Sequence, residues 1–377
     1  MRDAVSSPLP FIDLQAQRAR IADEIDAGIA RVLEHGAFIM GPEVGEVEDL
    51  LAGRAGVAHS LTCASGTDAL TLPLMAAEVG PGDAVLVPSF TFTSSAEVIA
   101  LRGATPVFVD VDARTFNMDP ESLCAGIKTA MQAGLTPRAV MTVDLFGQPA
   151  DYAAIVPIAD EHGLWILDDA AQSFGATHNG TALGAIGRVA GTSFYPSKPL
   201  GCYGDGGAIL TSDTALYERM KSIRVHGNGG AGGVTCLGLT ARFDSIQAAV
   251  LLAKLKIFDD EIARRNVIAQ RYSEHLDDVV QTPVLIDGAT SVWAQYTVVS
   301  ERRDDIAGAL AEQGIPTAMF YPNPLHAHAP YRDFPRAGNG LPVTEALARS
   351  VISLPMHPYL DADAQDRIIA AVRAALV

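Results

Sequence analysis

The stretch SFYPSKPLGCYGDGGAI, residues 193–209, sets Lys198 among small, aromatic, glycine and proline residues. Lysine is scarce in this chain, five residues against 22 arginines. A solvated loop lysine is the plain alternative, since most lysines are that. The neighbours argue against it. Pro196 and Pro199 fix the local chain and remove backbone donors, which suits a lysine held in one place. Apolar surroundings lower the pKa of an ammonium and make it a nucleophile toward carbonyl carbon.

Two further stretches could do chemistry. In CASGTDAL, residues 63–70, a β-rich run ends at Cys63 and Ser65-Gly66-Thr67 opens a helix. Backbone N–H groups at a helix start can hold a phosphate, and the helix dipole adds attraction. Gly66 lets the backbone approach closely, although an ordinary Ser/Thr cap has the same appearance. In LDDAAQSFGA, residues 167–176, an apolar run ends in Asp168 and Asp169. Neighbours on a strand point to opposite faces, so only one can face a given ligand. A carboxylate there suits a ligand cation, a metal ion or a helix cap. Taken together, a phosphate cradle, a strand-end acid and a desolvated lysine are what pyridoxal 5'-phosphate needs. The lysine forms its Schiff base, the acid partners the pyridinium nitrogen, and the third site takes the phosphate.

These residues must be positioned by a common scaffold. Between about residues 57 and 212, β-rich runs at 57–63, 84–88, 105–110, 139–145, 164–169, 191–195 and 207–211 alternate with helical patterns such as 67–78 and 93–102. That alternation predicts an α/β domain with a largely parallel sheet. Ligands of such sheets bind beyond the carboxyl ends of the strands. A long helical pattern over 244–276 then leads to a smaller C-terminal part. That part has a strand at 294–300, a helix at 304–313 and the loop FYPNPLHAHAPYRDF at 320–334. The expected division is 1–255 for the N-terminal segment and large domain, and 256–377 for the small domain.

Gly227, Gly229 and Gly232 fit a GxGxxG pattern, but RVH precedes it and no helix signal follows, so a dinucleotide site is not expected there. His326 and His328 form an HxH in a proline-rich loop, which is not read as a metal site. The four cysteines are widely spaced with no CxxC pair, so neither a zinc site nor a disulfide framework is expected. A net charge of −17 argues against nucleic acid or an anionic membrane as partner. The start, MRDAVSSPLPFIDL, lacks the apolar core of a signal peptide, and no apolar run is long enough to span a membrane. A cytoplasmic location is the expectation.

In these combined motifs the chain resembles the DegT/DnrJ/EryC1/StrS sugar aminotransferases, of the aspartate-aminotransferase fold (fold type I). GPEV, SGTDAL, GATPVFVD, LFGQPAD, DDAAQSFGA, SFYPSKPLGCYGDGGAI and RFDSIQAAVLLAKL carry the likeness, which runs from FIDLQAQRARI at 11–21 to SLPMHPYLD at 353–361. The resemblance implies a seven-stranded, mostly parallel sheet between helices. It implies Lys198 as the Schiff-base lysine, Asp169 at the pyridinium, and Gln172 beside the phenolic oxygen. It further implies Gly66, Thr67 and Ser193 at the phosphate, and Phe92 stacked on the ring. Arg242 would reach the neighbouring subunit's site in a homodimer. Thr240 stands where the family often has an asparagine that donates to the phosphate across the dimer. Phe320-Tyr321-Pro322 stands where the family often reads HYP near substrate. The implied reaction moves an amino group from glutamate to C3 of a 3-keto nucleotide sugar, of the UDP-2-acetamido-2-deoxy-3-oxo-glucuronic acid type, for a surface polysaccharide or O-antigen. Another keto sugar, or a non-catalytic protein that keeps the fold, are the alternatives.

Overall fold

The computed structural model describes residues 9–376. Residues 1–8, which open both the sequence read as lacking an apolar leader and the 1–255 division, lie outside it. The main sheet is built from β1 (His59–Cys63), β2 (Asp83–Pro88), β3 (Thr105–Val109), β4 (Thr136–Val143) and β5 (Trp165–Asp169). A two-residue hairpin follows, β6 (Thr177–His178) with β7 (Thr181–Ala182), before β8 (Val189–Ser193) and β9 (Gly207–Thr211) complete the sheet.

The strand order is β1-β9-β8-β5-β4-β2-β3. Strands β8, β5, β4, β2 and β3 pair in parallel, and β9 runs against both β8 and β1. This is the seven-stranded, mostly parallel α/β sheet the sequence implied. Its central runs, such as Val85-Leu86-Val87 and Val107-Phe108-Val109, are wholly buried. Strands covered by helices on both faces read in this way, as continuous apolar runs without alternation. The helix Gly66–Ala76 lies so close on β8 that a side chain at Gly191 would come within 2.9 Å of the Ala69 carbonyl oxygen.

Two expectations shift. The run read as a strand over 191–195 is β8, which ends at Ser193. Phe194 has left the sheet: its N–H bonds the Gly206 carbonyl at 2.8 Å, and its own carbonyl accepts from Cys202 N–H at 2.8 Å. The Lys198 loop is thus folded back on itself rather than extended. The helical pattern over 244–276 is two helices, Ser245–Leu255 and Phe258–Leu276. They part at Lys256–Ile257 because the first packs in the core beside β8 and β9, while much of the second packs elsewhere.

That second core joins the helix Phe258–Leu276 to β10 (Tyr296–Val299), β11 (Val351–Leu354) and the helix Ala362–Leu376. β10 and β11 pair antiparallel. The four-residue β11 and the β6–β7 hairpin carry too little pattern to be read from sequence. Leu325, Tyr331 and Leu341 belong to the main core, so the 320–341 segment lies against the sheet. Among the described residues no helix is long and apolar enough to cross a membrane.

Candidate active site

The parallel strands bring their carboxyl ends to one edge of the sheet. Asp169 ends β5, Ser193 ends β8, Asp144 follows β4, and the segment 89–93 follows β2. Asp169 is buried. Its Oδ2 accepts from Ser95 Oγ at 2.7 Å and its Oδ1 from Ala171 N–H at 3.3 Å. Burial raises its pKa, opposed by the Ser95 hydroxyl, the Lys198 charge and the Ala171 amide. A cation beside it therefore favours the carboxylate. Burial in turn lowers the pKa of Lys198, and only Asp169 acts to hold it up. Among the described residues the Lys198 ammonium has no ion-pair or hydrogen-bond partner. Its backbone closes a turn, Lys198 N–H to Tyr195 carbonyl at 2.9 Å.

Ser65 caps the helix Gly66–Ala76, its Oγ accepting from Asp68 N–H at 3.0 Å. The first intrahelical bond runs from Ala69 N–H to the Ser65 carbonyl. The Gly66 and Thr67 amides are left as the orphan donors of the helix start. A Cβ at Gly66 would lie 2.7 Å from Ser193 Cβ, so glycine is required for this helix start to meet the end of β8. The cap and the phosphate cradle are thus compatible: Ser65 takes one amide and leaves two, with the hydroxyls of Thr67 and Ser193 alongside.

Phe92, Gln172, Phe320 and Tyr321 gather on the other side. The Phe92 ring is 54% exposed and its centroid is 6.4 Å from that of Tyr321. Gln172 Oε1 accepts from Phe146 N–H at 2.7 Å, which turns its amide nitrogen toward Tyr321 Oη at 3.4 Å. Phe320 packs edge-on to Phe11 and Tyr321. Burial pushes the Tyr321 phenol up, so it stays protonated.

Three groups in this region were not singled out from the sequence. Ser95 anchors Asp169, and the hydroxyl-rich run TFTSS after an apolar strand was its signal. Phe90 packs edge-on against Tyr321. Asp144 follows a buried strand just as Asp169 ends one, and it accepts from Ala150 N–H at 2.7 Å, Tyr152 Oη at 3.1 Å and Ser173 Oγ at 3.1 Å. Asp168 points to the opposite face from Asp169, toward Asp144 and Tyr152, with both carboxylate oxygens buried. Burial pushes both of that pair up, Asp168 to about 7.

Among the described residues Thr240 and Arg242 are joined to this cluster by no hydrogen bond or ion pair. Thr240 Oγ1 lies 2.6 Å from His226 Nε2, on an exposed loop. Arg242 Nε is buried with no acceptor among the described residues. Neither bonds Lys198, Asp169 or Gln172. The Gly227–Gly232 stretch is a loop with one short turn of 3-10 helix, Gly230–Gly232, and lacks the strand–turn–helix of a dinucleotide site.

The cluster fits pyridoxal 5'-phosphate. A lysine free of ion pairs, a buried aspartate beside it, two orphan amides flanked by hydroxyls and an exposed aromatic face supply a covalent anchor, a ring-nitrogen partner, a phosphate site and a stacking surface.

A model of the DegT/DnrJ/EryC1/StrS aminotransferase family matches residues 19–373. The chain is 47% identical over 367 residues to UDP-2-acetamido-2-deoxy-3-oxo-D-glucuronate aminotransferase of Pseudomonas aeruginosa, covering 97% of this chain and 99% of that one. It is 40% identical to a UDP-N-acetyl-3-dehydro-alpha-D-glucosamine 3-aminotransferase of Acidithiobacillus ferrooxidans, covering 98% and 99%. A crystal structure of a DegT DnrJ EryC1 StrS aminotransferase from Brucella abortus superposes with a TM-score of 0.96 at 49% identity, over 98% of this chain and 99% of that one.

Proposed function

The chain belongs to the DegT/DnrJ/EryC1/StrS aminotransferase family and is a pyridoxal-phosphate-dependent transaminase, and on that premise we propose that it moves an amino group from glutamate to C3 of a 3-keto UDP-sugar, of the UDP-2-acetamido-2-deoxy-3-oxo-glucuronic acid type. The observation that carries the acceptor is whole-length similarity to two relatives named for 3-oxo or 3-dehydro UDP-sugars, at 47% and 40% identity. The product would be a 3-amino sugar for a surface polysaccharide or O-antigen.

When bound, the cofactor supplies an electrophilic carbon for amines and a protonated ring that draws electrons from the adjacent C–H bond. The side chains do the rest. Asp169, held by Ser95, keeps the proton on the ring nitrogen. Gly66 and Thr67 amides with the Thr67 and Ser193 hydroxyls would hold the phosphate. Phe92 would cover one ring face and Gln172 would sit at the phenolic oxygen. Lys198 would anchor the cofactor covalently, and burial lowers the pKa of its amine against the opposing Asp169 charge. It then moves one proton, away from Cα of the donor in the first half-reaction and onto C3 of the sugar in the second. Phe320 and Tyr321 face the acceptor.

Thr240 and Arg242 make no bond to this cluster within one chain, and we assign them to the site of a second copy in a homodimer. There Thr240 would donate to the phosphate and Arg242 would pair with a substrate carboxylate or phosphate. The working division is a cofactor-binding part, 1–255, and a smaller part, 256–377. A cytoplasmic place accords with four free thiols among the described residues.

The test is purified enzyme with glutamate and a panel of keto sugar nucleotides. The 3-keto UDP-uronate should be aminated and 4-keto GDP- or dTDP-sugars should not. Turnover of 4-keto sugars alone would overturn the acceptor. Lys198→Ala should lose the covalently bound, yellow form of the cofactor and at least about 1,000-fold in turnover, the scale of losing a catalytic base together with covalent catalysis.

A further inference from the structure

We propose that His326 is a positioning residue that, through Ser89 and Glu345, pins the loop bearing Phe320 and Tyr321 onto the strand end bearing Phe90 and Phe92, and so sets where the acceptor sugar binds. The inference rests on the acceptor reading above for its functional half; the clamp itself stands on geometry.

His326 lies in a loop segment, on a single turn of 3-10 helix (Leu325–Ala327), yet it is only 3% exposed. Its burial has a partner, because Ser89, the first residue beyond β2, is fully buried against it. Ser89 Oγ accepts from His326 N–H at 3.1 Å and lies 2.7 Å from His326 Nδ1. A hydroxyl that already accepts one N–H has its own proton free to donate, so Ser89 donates to Nδ1. That fixes the tautomer with the proton on Nε2, aimed at Glu345 Oε1 at 3.4 Å. Leu325 N–H also bonds the Ser89 carbonyl at 3.0 Å. Three hydrogen bonds therefore join residues 325–326 to one serine.

The same two segments meet once more at Thr93 Oγ1 and Tyr331 Oη, 2.8 Å apart. Phe90 and Phe92 lie between these two ties on one segment. Tyr321 precedes His326 by five residues on the other, with its ring centroid 6.3 Å from that of Phe90. A shift of the clamp moves Tyr321 relative to Gln172 and Phe92, and leaves Lys198, Asp169 and the helix start at Gly66 in place. The clamp thus acts on the acceptor side of the site.

The clamp also has a defined sensitivity to acid. The charged groups around His326 are Arg336 and Asp110 from the flanking segments and Glu345 from the helix Pro342–Ser350. Burial and Arg336 lower its pKa, against Glu345 and Asp110, so the neutral ring holds at neutral pH. A protonated ring would present a second N–H to Ser89 Oγ and leave the serine proton without its acceptor.

The experiment uses the loaded wild-type enzyme, Ser89→Ala, His326→Leu and His326→Asn, the last keeping an acceptor near the Nδ1 position. Losing one buried hydrogen bond corresponds to about tenfold in an equilibrium. Amide exchange of the 320–331 segment should accelerate about tenfold in Ser89→Ala and His326→Leu. KM for the acceptor should rise about tenfold with kcat within about twofold, and the glutamate half-reaction should hold its rate. His326→Asn should recover most of both effects. Unchanged exchange and KM would overturn the clamp. Equal loss in both half-reactions together with a lowered melting temperature would reduce His326 to a purely structural residue. If the wild type aminates no keto sugar, the acceptor reading falls, and the clamp is decided by exchange alone.

Discussion

Asp169 can serve a ring nitrogen only if its carboxylate is held in one orientation while buried, and Ser95 is the side chain that does this. The 2.7 Å bond from Ser95 Oγ to Oδ2 is a hydrogen bond to an ionised acceptor. Such bonds contribute roughly 1.5–3 kcal/mol, more than the tenfold equivalent of 1.4 kcal/mol. Ser95→Ala should therefore weaken retention of the cofactor by at least about tenfold, measured by titrating apoenzyme with pyridoxal 5'-phosphate. Unchanged affinity would show that Asp169 needs no anchor. Lys198 and the pair Asp168-Asp169 were legible in the sequence because their residue types are rare in such surroundings, while the choice of Asp169 over Asp168 came from the family resemblance. Ser95 was not, since serine and threonine are common after strands and nothing in TFTSS marks which hydroxyl turns inward. Gln172 was singled out only by resemblance; its orientation depends on the Phe146 amide, 26 residues away.

At the scale of elements, the strand end that presents Asp169 to the site also buries Asp168 on its far face. β4 and β5 pair Thr142 with Asp168 and Val143 with Asp169, which sets Asp168 toward Asp144. Asp144 accepts from Ala150 N–H, Tyr152 Oη and Ser173 Oγ, and Asp168 faces Tyr152 and Asp144. Burial and the neighbouring charge push both carboxyls up, so the pair shares a proton. A carboxyl whose folded pKa is raised contributes stability that is full below its unfolded value, ~3.9, and is lost as pH climbs to the folded value, about 7. Asp168→Asn keeps a donor toward Asp144 and removes the titration. Relative to wild type it should gain stability as pH rises from about 4 to about 7, in thermal melts across that range. A parallel pH profile for the two proteins would refute the shared proton. The strands themselves were readable because buried parallel strands are near-continuous apolar runs. The break at Lys256–Ile257 was not, because neither glycine nor proline marks it. Only the separate cores on which the two helices pack explain it.

At the scale of the molecule, large apolar side chains remain exposed on segments that belong to the site or flank it. Phe92 and Tyr195 are 54% and 55% exposed, and Leu237, on the loop leading to Thr240, is 90% exposed. Single exposed apolar residues are ordinary, but exposed aromatic rings on the site segments themselves suit a surface that a partner covers. In the proposed homodimer a second copy would cover these side chains and give Thr240 and Arg242 a site to serve. Each copy carries a net charge of −17, so association must overcome mutual repulsion. Added salt screens that repulsion, with a Debye length of about 8 Å at physiological strength against ~30 Å at 0.01 M, and leaves the apolar contact intact. Dimerisation should therefore tighten from low to physiological salt, as followed by sedimentation. Leu237→Asp removes exposed apolar area from the loop leading to Thr240 and adds a carboxylate, and should shift the equilibrium toward monomer by about tenfold or more. Turnover should then depend on protein concentration in the variant, rising where the dimer re-forms. A wild-type monomer with full turnover at every concentration would refute the shared site and return Thr240 and Arg242 to roles within their own chain.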